Sequence, residues 1–175
     1  MPKALEKKEE TVGMETLPLE LSNAIDRELA PLHPDRLRDA CFELMKSYAA
    51  GKPGPHITST DHRHAYIASR TPATYGVVRH IFRRLQGYSN SIKSLLDLGS
   101  GIGSLAWAAK EAFPKLKTAM LVEEDLQLLR LGQYLTENHL DPVQLSWCRE
   151  NLEEQESFPV HDLVTVSYVL NELSP

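Results

Sequence analysis

An α/β fold built on a parallel sheet is what this sequence predicts, on three observations. The apolar run Leu95, Leu96 and Leu98 leads straight into Gly99, Gly101 and Gly103. An Ala-rich helical segment, Leu105 to Phe113, follows at once. Beyond it, short apolar stretches alternate with helical ones. Strand, glycine turn and helix form the opening unit of a Rossmann-like, nucleotide-binding sheet, in which glycines let the backbone bend tightly and lie close to a ligand. Strands are expected at 94–98, 117–123, 143–148 and 162–168. A doubly wound sheet commonly has about six strands, so this chain reads as the N-terminal half of one, truncated after the fourth strand with an exposed parallel edge.

Each element has a local reason. Residues 1–18 mix Lys3, Lys7 and Lys8 with Glu6, Glu9, Glu10 and Glu15 and read as a disordered tail. Helices are expected over Leu19 to Leu29 and Asp35 to Tyr48. In the second, Leu37, Cys41, Leu44, Met45 and Tyr48 share one face, and Gly51 with Pro53-Gly54-Pro55 closes it. His56 to His64 reads as a polar loop. Thr71 then caps a helix with Pro72 at its favoured first position. Along that helix, Ala73 to Leu85, an apolar stripe of Val78, Ile81, Phe82 and Leu85 opposes Arg79, His80, Arg83 and Arg84. Ser104 is placed to cap the helix after the glycine turn, and Asp125 to cap Leu126 to Glu137. The fourth strand is apolar enough to be buried on both faces. These elements divide the chain into a tail (1–18), a helical region (19–92) and a cofactor-binding domain (93–175).

The spacing of the turn selects among ligands. A dinucleotide site reads G-x-G-x-x-G and offers helix N-terminal amides to a pyrophosphate. Here Gly99, Ser100, Gly101 and Gly103 read G-x-G-x-G, and Ser stands at 104. Asp97, two residues before the first glycine, would repel a pyrophosphate but suits a ligand with ammonium and sulfonium charge. That ligand is S-adenosylmethionine. Glu123 ends the second strand about twenty residues after the turn, where such sheets place the carboxylate for ribose hydroxyls. The run Glu123-Glu124-Asp125 also suits the start of a helix; both readings hold together if Glu123 takes the ribose and Asp125 the cap. The adenine is expected beside 148–151. Tyr168, at the ligand edge of the fourth strand, is either a pocket wall or a core tyrosine. The Asp/Asn-Pro-Pro-aromatic signature of base-amine transfer is absent there, as is a Pro-Cys nucleophile, so no catalytic residue is assigned.

Composition bounds the rest. The 175 residues are 42% apolar, which suffices for one domain with a true core. Cys41 and Cys148 lack metal-ligand spacing, so no metal site is expected and a reducing compartment is. There is no membrane-length apolar run. The acid-rich start of the chain differs from a transit peptide, so a cytoplasmic protein is expected. The net charge of −5 hides an asymmetry: residues 61–93 hold six Lys/Arg against one acid, and residues 120–162 hold two against ten. Such a division suits a cationic cofactor on one side and a phosphate backbone on the other. A solvated helix face would look the same.

One resemblance brings these features together. Arg70-Thr71-Pro72-Ala73-Thr74-Tyr75 lies upstream of Leu95-Leu96-Asp97-Leu98-Gly99-Ser100-Gly101-Ile102-Gly103, with Trp107-Ala108-Ala109 after it. Asp162-Leu163-Val164 and Ser167-Tyr168-Val169-Leu170-Asn171-Glu172-Leu173 complete the pattern. Together they resemble the methyltransferase-like proteins of the small ribosomal subunit, over roughly residues 19–175. The resemblance implies a class I S-adenosylmethionine fold and association with small-subunit ribosomal RNA, with Arg79, Arg83 and Arg84 as its contacts here. It is compatible with an RNA methyltransferase and with a non-catalytic assembly factor, and little turnover is expected of this chain alone. The cysteine cluster that holds an iron–sulfur centre in mitochondrial members is not reproduced by Cys41 and Cys148. Arg70 and Tyr75 are expected to face the pocket, or Arg70 to tie its helix to the sheet.

Overall fold

A computed structural model describes residues 16–50, 56–137, 139–170 and 173. Its centre is a four-stranded sheet of β1 (Ser94–Leu98), β2 (Thr118–Val122), β3 (Gln144–Cys148) and β4 (Leu163–Val166), all parallel, in the order β3-β2-β1-β4. Helices α1 (Leu19–Leu29), α2 (Pro34–Ala49), α3 (Thr60–Ala65) and α4 (Thr71–Arg84) precede it. Helices α5 (Ser104–Ala112) and α6 (Leu126–Thr136) connect β1 to β2 and β2 to β3. This is the expected α/β architecture with an N-terminal helical region. The expected tail falls almost wholly outside the described residues, as does the Gly51 to Pro55 stop.

The register sorts the side chains of the sheet. Leu95 pairs with Ala119 and Leu163, and Asp97 with Leu121 and Thr165, so these residues share one face. That face packs on the helices in a single core joining Leu21, Ile25, Ile67, Tyr75 and Phe82 to Leu95, Leu105, Phe113 and Leu121. The opposite face carries Leu96, Met120, Val164, Leu98, Val122 and Val166. The expectation of a β4 buried on both faces is therefore overturned. Val164 is 51% exposed and Val166 38%, because β4 is an edge strand and its outer face bears no helix among the described residues. Its start is nonetheless pinned: Asp162 accepts the amides of Lys93 at 2.8 Å and Ser94 at 3.0 Å, which holds its carboxyl below the ordinary range.

The helical region departs from expectation where the chain read as a polar loop. Ser59 accepts the His62 amide at 3.0 Å and caps α3, so the helical run begins there and not at Thr71. Between α3 and α4 lies a π-turn, Tyr66–Arg70, in which the Thr71 amide reaches back to the Tyr66 carbonyl. The widened turn is the physical answer to Pro72, which lacks an N–H and whose ring would strike a carbonyl one α-turn back. Thr71 is thus an interior residue, buried rather than capping. Ser104 is likewise no cap: Gly103, at φ +81°, takes that position and Ser104 is the first helical residue. On α4 the buried line is Thr71, Tyr75, Val78 and Phe82, while Ile81 is 49% exposed at the margin of that stripe. On α2, Met45 also turns outward, and Ala40 and Leu44 supply the buried contacts.

Candidate functional site

A cleft of about 620 Å³ opens at the C-terminal edge of the sheet. Its floor is Gly99 and Gly101 of the turn after β1. One wall is Val122 at the end of β2 with Glu123, Glu124 and Asp125 beyond it, continued by Arg149 to Glu153 after β3. Tyr48, His56, Ile57, Thr58 and Tyr66 from the helical region form a second wall, and Ser167, Tyr168 and Val169 after β4 a third. Ligands of open parallel sheets bind outside the carboxyl ends of the strands, and this cleft lies there.

The glycine turn is built from committed amides. The N–H groups of Gly99 and Ser100 both donate to the Val122 carbonyl at 2.9 Å, and that of Gly103 to the Ser100 carbonyl at 2.9 Å. The Gly101 amide donates to Glu123 Oε2 at 2.8 Å. A pyrophosphate cradle needs free amides, and these four are already used. All three glycines have positive φ, at 71°, 56° and 81°, which L side chains adopt only with strain.

Glu123 is the pivot of the site. Besides Gly101, its other oxygen accepts the Asp125 amide at 2.9 Å. Burial raises its pKa, opposed by the N–H groups of Asp125 and Gly101. The Glu124 N–H acts on the same carboxylate, so Glu123 is held by the backbone of both the glycine turn and its own loop. Asp125 itself accepts the amides of Gln127 and Leu128, so it caps α6 as expected while also lining the cleft beside Glu123. Further along, Asn151 Nδ2 donates to Glu124 at 3.2 Å, stiffening the part of the wall after β3.

Asp97 stands elsewhere. It is fully buried, faces the helices with the core side of β1, and is not among the cleft-lining residues. Thr165 of β4 donates its hydroxyl to Oδ1 at 2.8 Å, while Oδ2 is buried without a partner. Burial pushes the Asp97 pKa up to about 7, with the Thr165 bond pulling down and the Glu123 charge adding to the rise.

Of the residues marked in sequence, the cleft therefore unites Gly99, Gly101, Glu123 and Tyr168. Asp97, Ser100 and Gly103 are not among the cleft-lining residues: Asp97 and Ser100 are buried, and Gly103 backs onto Trp147 and Leu121. Tyr168 is 62% exposed with a φ of +62°, so it stands at the rim and is no core tyrosine. Tyr75 is buried in the core instead of facing the pocket. Arg70 is not among the cleft-lining residues; its guanidinium stacks 4.5 Å from the centre of the ring of Tyr48, which does line the cleft. On α4, Arg79 is drawn into an ion pair with Glu111 of α5, and Arg83 and Arg84 are exposed. Sequence reasoning missed Tyr48, His56, Tyr66, Thr165 and Val169. Of these, Val169 lay within the resembling stretch Ser167 to Leu173, whereas Thr165 is matched to Asp97 only by the strand register. Among the described residues there is no metal-binding cluster and no helix long and apolar enough to cross a membrane.

Residues 60–175, more than half of the chain, match the model of a protein family described as mitochondrial small ribosomal subunit Rsm22. The chain belongs to that family, which is methyltransferase-like and associated with the small ribosomal subunit. The match begins at α3 and takes in the π-turn, the glycine turn and the whole sheet. No curated protein matches the chain.

Proposed function

We propose that this chain binds S-adenosylmethionine across the ends of β1, β2 and β3 and serves as an RNA methyltransferase of the small ribosomal subunit. The observation that carries this reading is Glu123, a cleft-lining carboxylate bonded to the glycine turn beside amides that are already spent. That arrangement favours a ligand offering hydroxyls and positive charge over one offering phosphates. In this reading Glu123 holds the ribose, Gly99 and Gly101 allow close approach of the ligand, and the stretch Arg149 to Leu152 borders the adenine. Ser100 and Gly103 shape the turn from behind, and Tyr168 closes the rim. The unpartnered Oδ2 of Asp97 suits the ligand's ammonium through an intervening water. When bound, the cofactor supplies an electrophilic methyl group on sulfonium, and the protein's contribution is chiefly positioning. Arg83 and Arg84, with Arg79 beside them, form the proposed RNA-facing surface.

Calorimetric titration of S-adenosylmethionine into the chain tests this directly. Micromolar binding is expected, weakened about tenfold or more in Glu123→Ala, since hydrogen bonds to a charged group are worth about 1.5–3 kcal/mol. Absence of binding by the folded wild-type chain would sink the reading. Arg83→Ala with Arg84→Ala is expected to leave that titration unchanged while lowering RNA affinity and flattening its salt dependence. The non-catalytic assembly factor is the second reading, in which the same cleft holds the cofactor without passing on its methyl group. Methyl transfer from labelled cofactor to small-subunit RNA separates the two.

A further inference from the structure

Two side chains press on the cleft side of the glycine turn. A carbon added at Gly99 would stand 2.8 Å from Val169 Cβ and 2.9 Å from both of its γ carbons. One added at Gly101 would stand 2.8 Å from the Tyr66 hydroxyl oxygen. Ordinary contacts between such atoms begin near 3.5 Å, so these side chains fill the space directly over the two glycines. Gly103 is different, because its neighbours Trp147 and Leu121 lie behind the turn. Glycines that let a ligand approach the backbone are thus approached, in this state, by the protein itself.

Both side chains are held by unusual backbone. Tyr66 opens the π-turn that absorbs Pro72, and π-turns inside helices gather at functional sites. Val169 follows Tyr168, the one residue other than glycine with positive φ among the described residues. A bulky residue in the left-handed region persists only where its surroundings hold it there, and such strain clusters at clamps and switches. The two contacts come from opposite walls: Tyr66 belongs to the helical region and Val169 to the segment after β4.

We infer that Tyr66 and Val169 form a two-part gate on the glycine turn. Closed, they overhang Gly99 and Gly101 on the floor of the cleft, and a ligand packs fully against the two glycines only when both withdraw. The inference rests on the cofactor reading for the identity of that ligand, but the gate is a property of the protein alone. Opening moves Tyr66 away from the sheet, so occupancy of the cleft is transmitted to the helical region. The apparent affinity of a ligand for such a protein is reduced by the fraction of open molecules.

The gate is tested with Val169→Ala, which removes both γ carbons over Gly99, and Tyr66→Phe, which removes only the hydroxyl over Gly101. Hydrogen exchange of the 99–103 and 118–122 peptides is followed without ligand, and S-adenosylmethionine is then titrated. Turn amides are expected to exchange about tenfold faster in Val169→Ala, with β2 amides unchanged as proof of an intact fold. Tyr66→Phe is expected to produce a smaller rise confined to the same peptide. Cofactor affinity is expected to increase about threefold in Val169→Ala, as the closed population falls. Unchanged exchange at the turn overturns the gate, as does a loss of affinity with no change in exchange, which would make Val169 a plain contact. Faster exchange with no binding by any form upholds the gate and sinks the cofactor reading instead.

Discussion

β1 and β4 are neighbours, parallel and in register, and both are short apolar strands that end at the cleft, yet they are held in opposite ways. β1 is buried throughout its middle, with Leu95 and Asp97 at 0% exposure. β4 alternates, and its outward valines meet solvent. The turn after β1 uses glycine at each left-handed position and ties its amides to Val122 and Glu123. The turn after β4 puts a tyrosine in the left-handed region. The cleft therefore has a fixed floor anchored to β2 and a looser wall attached to an edge strand. A site so divided can keep its ligand contacts in place while one side moves.

Truncation in the two strands gives the largest contrast. Leu95→Ala is expected to cost about 2–5 kcal/mol by opening a cavity in the core, and Val164→Ala within about 0.5 kcal/mol because its side chain is half exposed. Urea unfolding measures both; equal losses would mean that the outer face of β4 is covered in solution.

Asp97 sharpens the comparison through pH. Its native pKa of about 7 lies above the ordinary 3.8, so the folded protein keeps a proton that the unfolded chain releases between those values. Stability must then fall as pH rises from about 4 to about 7 and level off above. In Asp97→Asn, where Thr165 still has an oxygen to donate to, this slope should shrink, leaving the variant more stable than wild type at pH 8 by on the order of 2 kcal/mol. The remaining slope belongs to Glu123, whose pKa is raised in the same direction. Parallel pH profiles for the two proteins would show that Asp97 is ionised in the native state and reached by water.

The smallest expected effect compares the two turns at matching φ. Gly99→Ala should destabilise by about 1–2 kcal/mol, from left-handed strain and collision with Val169. Tyr168→Gly should instead be neutral or stabilising by about 0.5–1 kcal/mol, because it relieves the same conformation at an exposed position. Thermal unfolding of both variants checks the pair. A loss at Tyr168→Gly would show that its ring contributes to folding beyond its exposed surface.

By itself the sequence determined the elements whose causes are local. Four strands were legible from short apolar runs, the glycine turn from its spacing, α6 from its Asp125 cap, and the Glu123 position from its distance to the turn. Each depends on propensity, capping or strand period, which act over a few residues. The tertiary structure decided whatever depends on a distant neighbour. It made β4 an edge with one bare face, set Asp97 against Thr165, and carried helix through a stretch that reads as a loop. It also brought Tyr48, His56 and Tyr66 over a turn that follows them by more than thirty residues. Burial and cleft walls are made by partners far along the chain, and no local pattern encodes which partner arrives.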